Sequence, residues 1–200
     1  MNFKYIRQLA EERRIILGSS SPRRIRLLTE IGVEFEQVTP LTDEGLKPAE
    51  MPYDYAKRLA EEKALEVSLR SNGKVVIGAD TVVLLGKEVL GKPENDDDAF
   101  RILSTLSGKK HEVCTALALV ENGRILSSGY EITEVYFNKL DSDRIREYIA
   151  TGEPKDKAGA YGIQGIGAFL VDRIKGNLDN VIGFPCTLLE RLAREAFELL

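Results

Sequence analysis

Ile15-Ile16-Leu17-Gly18-Ser19-Ser20-Ser21-Pro22-Arg23-Arg24-Ile25 decides the fold. It reads as a buried strand, a tight polar turn and a helix start. Ser21 stands where an N-cap belongs, and Pro22 suits the first helical position, where a missing N–H costs nothing. The next two residues run against the helix dipole. A first turn carries partial positive charge and favours Asp or Glu, yet Arg23 and Arg24 occupy it. Two guanidinium groups beside free backbone N–H groups form a receptor for a polyanion, most simply phosphate. The competing account pairs both arginines with nearby carboxylates or turns them to solvent.

Outward from this stretch, residues 4–13 have the pattern of a short amphipathic helix that leads into the first strand. The helix after Ser21 runs to about Ile31 and stops at Gly32. Residues 33–39 alternate as a second strand, and a polar loop over 40–52 holds Asp43 and Glu44. Residues 52–71 are helical, with Leu59, Ala60, Lys63, Ala64 and Val67 at three- and four-residue steps. Val75-Val76-Ile77-Gly78-Ala79 is the apolar run of a central strand, continued through Asp80 and Thr81 to Leu85. Gly86-Lys87 turns it back into residues 88–90. Residues 95–107 form a helix whose first turn holds Asp96, Asp97 and Asp98, which complement the dipole or, alternatively, bind a metal. Two strands, 112–120 and 124–137, flank the hairpin signal Asn122-Gly123. A helix at 141–150, a glycine-rich loop, a strand and a closing helix from about Pro185 complete the chain. Strands and helices mix without a βαβ period, which predicts α/β architecture with a mixed sheet and not a doubly wound parallel one. Neither a repeat nor a flexible linker divides residues 1–200, so one domain is expected, with 1–14 as a helical extension.

At 43% hydrophobic and 30% charged, the 200 residues have a globular composition. A net charge of −4 argues against broad nucleic-acid binding, so a local cluster must hold any anionic ligand. Cys114 and Cys186 are too few and too far apart for a disulfide framework or a metal knuckle, and they read as buried, reduced thiols. Residues 1–14 lack an apolar signal core, and no run has the length of a membrane span. A cytoplasmic protein with no membrane partner is expected. The hairpin at 112–137 offers an edge for a homodimer.

Several segments outside the opening stretch bear on chemistry. Asp80 lies in an apolar strand, where an ionised group needs a partner, structural or functional. Lys63 shares a face with Leu59 and Val67, where it either snorkels or binds. Lys92, before Pro93, is forced into extended backbone. Asp156-Lys157-Ala158-Gly159-Ala160-Tyr161-Gly162-Ile163-Gln164-Gly165 is a glycine-rich loop ending in an amide, or else a plain surface turn. Residues 180–185 read as structural, as does the lone His111 at a strand start.

In order and spacing, Ser19-x-Ser21-Pro22-Arg23-Arg24, Glu44, Glu62-Lys63-Ala64, Gly78-Ala79-Asp80-Thr81, Gly91-Lys92-Pro93 and the loop from Asp156 to Gly165 together resemble the Maf family of septum-formation-inhibitor-like nucleotide pyrophosphatases. The resemblance covers about residues 15–192. The loop with Gln164 is similar to that of the branch acting on dTTP and UTP, and differs from the 7-methyl-GTP branch. The departures are the N-terminal helix and Ser20.

The resemblance implies an elongated mixed sheet flanked by helices, with two lobes around a central cleft. It also implies hydrolysis of a nucleoside triphosphate to the monophosphate and pyrophosphate, with a divalent cation, Mg²⁺ or Mn²⁺. In that scheme Ser19, Arg23 and Arg24 bind phosphate, and Lys63 and Lys92 offset charge in the transition state. Glu44 and Asp80 would hold the cation, since like charges about 4 Å apart otherwise repel by roughly 4 kcal/mol at an effective dielectric near 20. Asp80 would accept a proton from the attacking water. Arg23, Thr81 and Gln164 would set base specificity, the Gln164 amide matching the N3–H and O4 edge of uracil or thymine. Modified pyrimidine nucleotides are further candidate substrates. The rival reading is a nucleotide-sensing regulator of septum formation without turnover, and a second rival is a family member with purine specificity.

Overall fold

The structure is a computed structural model and describes residues 2–43, 45, 47 and 50–199. Ile15–Gly18 (β1) lies between Phe35–Gln37 (β2) and Val75–Leu85 (β3), parallel to both. All four residues of β1 are buried, which explains its unbroken apolar sequence. Parallel neighbours need crossovers, and helices Pro22–Glu30 (α2) and Pro52–Ser68 (α3) lie in those connections. The remaining strands are Glu88–Leu90 (β4), Lys110–Glu121 (β5), Arg124–Phe137 (β6) and Val171–Lys175 (β7). β4 folds back antiparallel on β3, and β7 runs antiparallel to β6. The sheet order is β2-β1-β3-β5-β6-β7, with β4 on β3. The sheet is mixed, as the irregular alternation of elements predicts.

Asn122 (φ 50°) and Gly123 (φ 74°) both take left-handed backbone between β5 and β6, the geometry a two-residue hairpin turn demands. β5 is interior to the sheet, and residues 134–137 of β6 pair with β7. The other helices are Lys4–Arg13 (α1), Asp96–Leu106 (α4), Ser142–Ala150 (α5), Leu178–Ile182 (α6) and Cys186–Phe197 (α7). The five residues of α6 are too short to show helical periodicity, and sequence reading missed them. The glycine-rich segment also holds short 3-10 turns at Glu153–Asp156, Ala158–Ala160 and Gly165–Leu170. None of the helices among the described residues is long and apolar enough to cross a membrane.

The chain divides into two compact units, and the division falls inside β3. The first comprises Met1–Asp80, Thr115–Glu131 and Gly183–Leu200. Its core includes Ile6, Leu9, Leu17, Leu28, Leu59, Ile77, Leu189 and Leu192, all buried. Here α1 packs on α7. The α1 N-terminus has no side-chain cap of its own. Instead the Glu190 carboxylate on α7 accepts from the Tyr5 N–H (3.0 Å) and the Ile6 N–H (3.1 Å). An anion at a helix N-terminus satisfies orphan donors and complements the dipole.

The second unit comprises Thr81–Cys114 and Ile132–Ile182. Leu90, Ile102, Leu103, Val135, Phe137, Ile145 and Leu170 build its core. His111 is buried within it, its Nε2 2.8 Å from the Tyr161 hydroxyl and its ring edge-on to Phe137. Burial lowers its pKa to about 4, and its Nδ1 has no hydrogen-bond partner.

Two outcomes are expected. Glu190→Ala should lower stability by about 1–2 kcal/mol in denaturant titrations and raise hydrogen exchange across α1. For His111 the folded pKa lies below the unfolded value near 6.5, so the unfolded chain takes up the proton first as pH falls. The stability it contributes is complete above pH 6.5 and is lost between there and about 4. The loss from pH 7 to 5 should be on the order of 2 kcal/mol, and His111→Phe should flatten that slope. Glu50, Glu66 and Asp98, whose pKa values are lowered by arginine partners, act below this window.

Candidate active site

The site begins with a close approach. A Cβ added at Gly78 would lie 2.1 Å from the Ala60 carbonyl oxygen and 2.8 Å from the Ala64 Cβ. Only glycine on β3 and small residues on α3 let helix and strand come this close. Two residues beyond Gly78, on the same strand face, stands Asp80, and one residue before Ala64 stands Lys63. The Lys63 ammonium donates to the Asp80 Oδ1 at 2.6 Å, with both residues buried. Asp80 thus has the partner its apolar strand required. Lys63 does not snorkel, and its charge is already balanced within the protein.

The turn after β1 lies in the same unit. The Ser19 hydroxyl oxygen accepts from the Ser21 N–H (3.2 Å) and from the Arg24 Nη1 (3.2 Å). Arg24 Nη1 also donates to the Ala79 carbonyl (2.9 Å), and Arg24 Nε to the Gly183 carbonyl (2.9 Å). One guanidinium therefore ties the turn to β3, beside Asp80, and to the segment entering α7. Arg24 acts as a strut in this geometry, whereas the sequence reading made it a phosphate clamp equal to Arg23. Arg23 is half-buried in the first turn of α2. Ser21 holds the N-cap position with extended backbone, but its hydroxyl makes no capping bond, a correction to the expected cap. The α2 N-terminus thus has no side-chain acceptor from its own cap residue, and an anion suits it.

Ser19, Arg24, Lys63 and Asp80 are thus linked in the first unit by hydrogen bonds or by chain adjacency. Glu44 lies outside the described residues. Thr81, Lys92 and Gln164 belong to the second unit. Thr81 follows Asp80 on β3 and is half-buried, Lys92 is exposed between β4 and α4, and Gln164 is exposed on the glycine-rich loop. The acidic triplet serves its helix. Asn95 accepts from the Asp98 N–H at 2.9 Å, and the Asp98 carboxylate pairs with Arg101. Among the described residues no three His, Cys, Asp or Glu side chains gather for a metal ion. Asp80 brings a carboxylate beside the Ser19 turn, next to the Ala79 carbonyl that Arg24 holds. One carboxylate suits a cation that takes its other oxygens from a bound phosphate chain and water, as Mg²⁺ commonly does.

Residues 180–185 are structural, as the sequence reading has them: the Gly183 carbonyl receives Arg24 across 159 residues, a contact that no local pattern announces. Sequence reasoning missed Glu153. It began the glycine-rich motif at Asp156, just after Glu153, whose carboxylate binds Tyr148 and Gly167.

These features define a class: an α/β protein with an anion-receiving strand–turn–helix beside a buried lysine–aspartate pair. The chain belongs to the Maf family, whose sequence model, described as Maf-like protein, matches residues 14–196. The match begins after α1. A dTTP/UTP pyrophosphatase of Geotalea uraniireducens is 47% identical over 183 residues, covering 90% of this chain and 94% of that protein. Proteins of the same description from Aquifex aeolicus and Thermococcus kodakarensis are each 45% identical, over 91% and 93% of this chain and 95% and 98% of theirs. A crystal structure of a nucleoside-triphosphatase / dITP/XTP pyrophosphatase from Mycobacterium abscessus aligns with a TM-score of 0.41 and 17% identity, over 63% of this chain and 75% of that one.

Lys63→Met leaves Asp80 buried without its ammonium, and should cost about 3 kcal/mol or more in denaturant titrations at pH 7. Adding Asp80→Asn removes the stranded charge and should recover much of that loss.

Proposed function

We propose that this chain hydrolyses dTTP and UTP, and modified pyrimidine triphosphates with the same base edge, to the monophosphate and pyrophosphate. The names of its relatives support the substrates. The observation that carries the reading is the Lys63–Asp80 pair set beside the Ser19–Arg24 turn. A triphosphate on the α2 N-terminus takes hydrogen bonds from the Ser19 hydroxyl and charge from Arg23, while Arg24 fixes Ser19 in place. The incoming phosphate oxygens compete with Asp80 for the Lys63 ammonium. Lys63 then turns part of its charge to the substrate, and Asp80 becomes able to accept a proton from the attacking water. Lys92 adds a second positive charge against the charge that develops as the anhydride bond breaks.

Mg²⁺ or Mn²⁺ would be held by Asp80 with Glu44, and supplies Lewis acidity that makes water more acidic when bound. Arg23, Thr81 and Gln164 set the base preference. The planar Gln164 amide offers an acceptor to N3–H and a donor to O4, which cytosine reverses. We further assign the activity to residues 1–200 as one catalytic domain, acting on free nucleotides in the cytoplasm.

Purified protein should release pyrophosphate, not orthophosphate, from dTTP and UTP in Mg²⁺ or Mn²⁺, and chelator should stop it. Asp80→Asn should lower kcat by about 100-fold or more with the fold intact. Tight nucleotide binding without turnover of any triphosphate would favour the sensor instead.

A further inference from the structure

Gln164 is exposed, and so are Gly165 and Ile166 that follow it. Ile163 packs against the core of the second unit, and polar groups fix the neck of the loop. The chain leaves at Gly162 and returns at Gly167. The Gly162 N–H donates to the Tyr148 hydroxyl oxygen at 3.0 Å. That hydroxyl donates to the Glu153 Oε1 at 3.0 Å, and the same oxygen accepts from the Gly167 N–H at 3.3 Å. Both ends of the four-residue excursion therefore close on one phenol–carboxylate pair.

The neck has no room for side chains. A Cβ at Gly167 would lie 2.3 Å from the Gly162 carbonyl oxygen and 2.7 Å from the Tyr148 hydroxyl. A Cβ at Gly162 would lie 2.8 Å from the Glu153 Oε1. The clasp is itself anchored. Tyr148 is 1% exposed on α5, and its ring sits edge-on to Phe169. Glu153 opens a 3-10 turn whose carbonyl accepts from Lys157 Nζ at 2.6 Å. Burial pushes the Tyr148 ionisation up, so the group stays a phenol that can donate to the carboxylate.

We propose that Tyr148 and Glu153 are positioning residues for base selection: they close the neck of the Gln164 loop and fix where its amide stands, without touching substrate. The inference rests on Gln164 reading the pyrimidine edge. An amide that discriminates N3–H with O4 from the reversed cytosine pattern must be held to within about 0.5 Å, because misplacement weakens the correct pair and relaxes the penalty on the wrong one. Phosphate binding belongs to other residues and does not depend on this clasp.

The test is a double-mutant cycle on selectivity. Tyr148→Phe, Glu153→Gln, Gln164→Ala and the Tyr148→Phe/Gln164→Ala pair are assayed with dTTP and dCTP, and with pyrophosphate as a competitive inhibitor. Tyr148→Phe should raise KM for dTTP with little change in kcat, contract the dTTP-to-dCTP ratio of kcat/KM by about tenfold, and leave pyrophosphate inhibition unchanged. In the Gln164→Ala background it should contract the ratio no further. Equal losses on both nucleotides, an unchanged ratio, or an undiminished effect without Gln164 would each overturn the proposal. Should Tyr148→Phe fail to fold, Glu153→Gln carries the same comparison. The unmutated protein controls the reading beneath: no dTTP turnover there removes the proposed function itself, whereas turnover with an indifferent clasp removes only this inference.

Discussion

The contact of Lys63 with Asp80 is the constraint on which the rest depends. Two opposite charges taken out of water attract strongly only if nothing holds them apart, and here a 2.6 Å bond links them. That distance exists because β3 carries no side chain at Gly78 and α3 presents Ala60 and Ala64 toward it. Small residues thus do electrostatic work at one remove. The same strand aligns Gly18 with Gly78 across the β1–β3 pairing, so the turn that follows β1 emerges level with the middle of β3, where Asp80 stands.

In a site assembled this way the lysine–aspartate pair balances its own charge before any ligand comes. Lys63 is not waiting with an unbalanced charge, and the net charge of −4 gives no long-range attraction for a nucleotide. On the proposed reading, the substrate is recognised by short-range exchange of partners at this pair. Arg24 is part of the framework that makes such exchange orderly, since it fastens the Ser19 hydroxyl and the Ala79 carbonyl at once. Arg23, adjacent in sequence, is rotated about 100° around the helix from it. Neighbouring arginines in one first turn need not share a task.

Much of this was legible in the chain. The apolar run before Ser19 and Pro22 after Ser21 marked a strand, a turn and a helix, because burial and the fixed proline φ leave few alternatives. An aspartate in an apolar strand demanded a partner. Its identity was not legible, because a lysine on an apolar helix face has the same spacing whether it snorkels or pairs. Gly78, Ala60 and Ala64 were visible as small residues, but their meaning depends on which helix packs on which strand. The Arg24 acceptors at 79 and 183 lie too far away for any window, and the Ser21 hydroxyl made no cap although its position fitted one. Glu153 escaped for a different reason. A lone carboxylate before a proline announces a turn, not a clasp on a phenol and on an N–H fourteen residues further on.

The bond from Glu190 to α1 also sets an order of events. Tyr5 and Glu190 are 185 residues apart, and Arg24 likewise waits for Gly183. At about 5–20 residues per second, the ribosome delivers these acceptors roughly 10–40 s after the helix they fasten. The first unit is drawn from three separate stretches of chain, and its last stretch begins at Gly183. A nascent chain therefore carries α1 without its Glu190 acceptor, and Arg24 without its Gly183 acceptor, until those residues are made. A product truncated before Gly183 lacks both fastenings, whatever else it has folded.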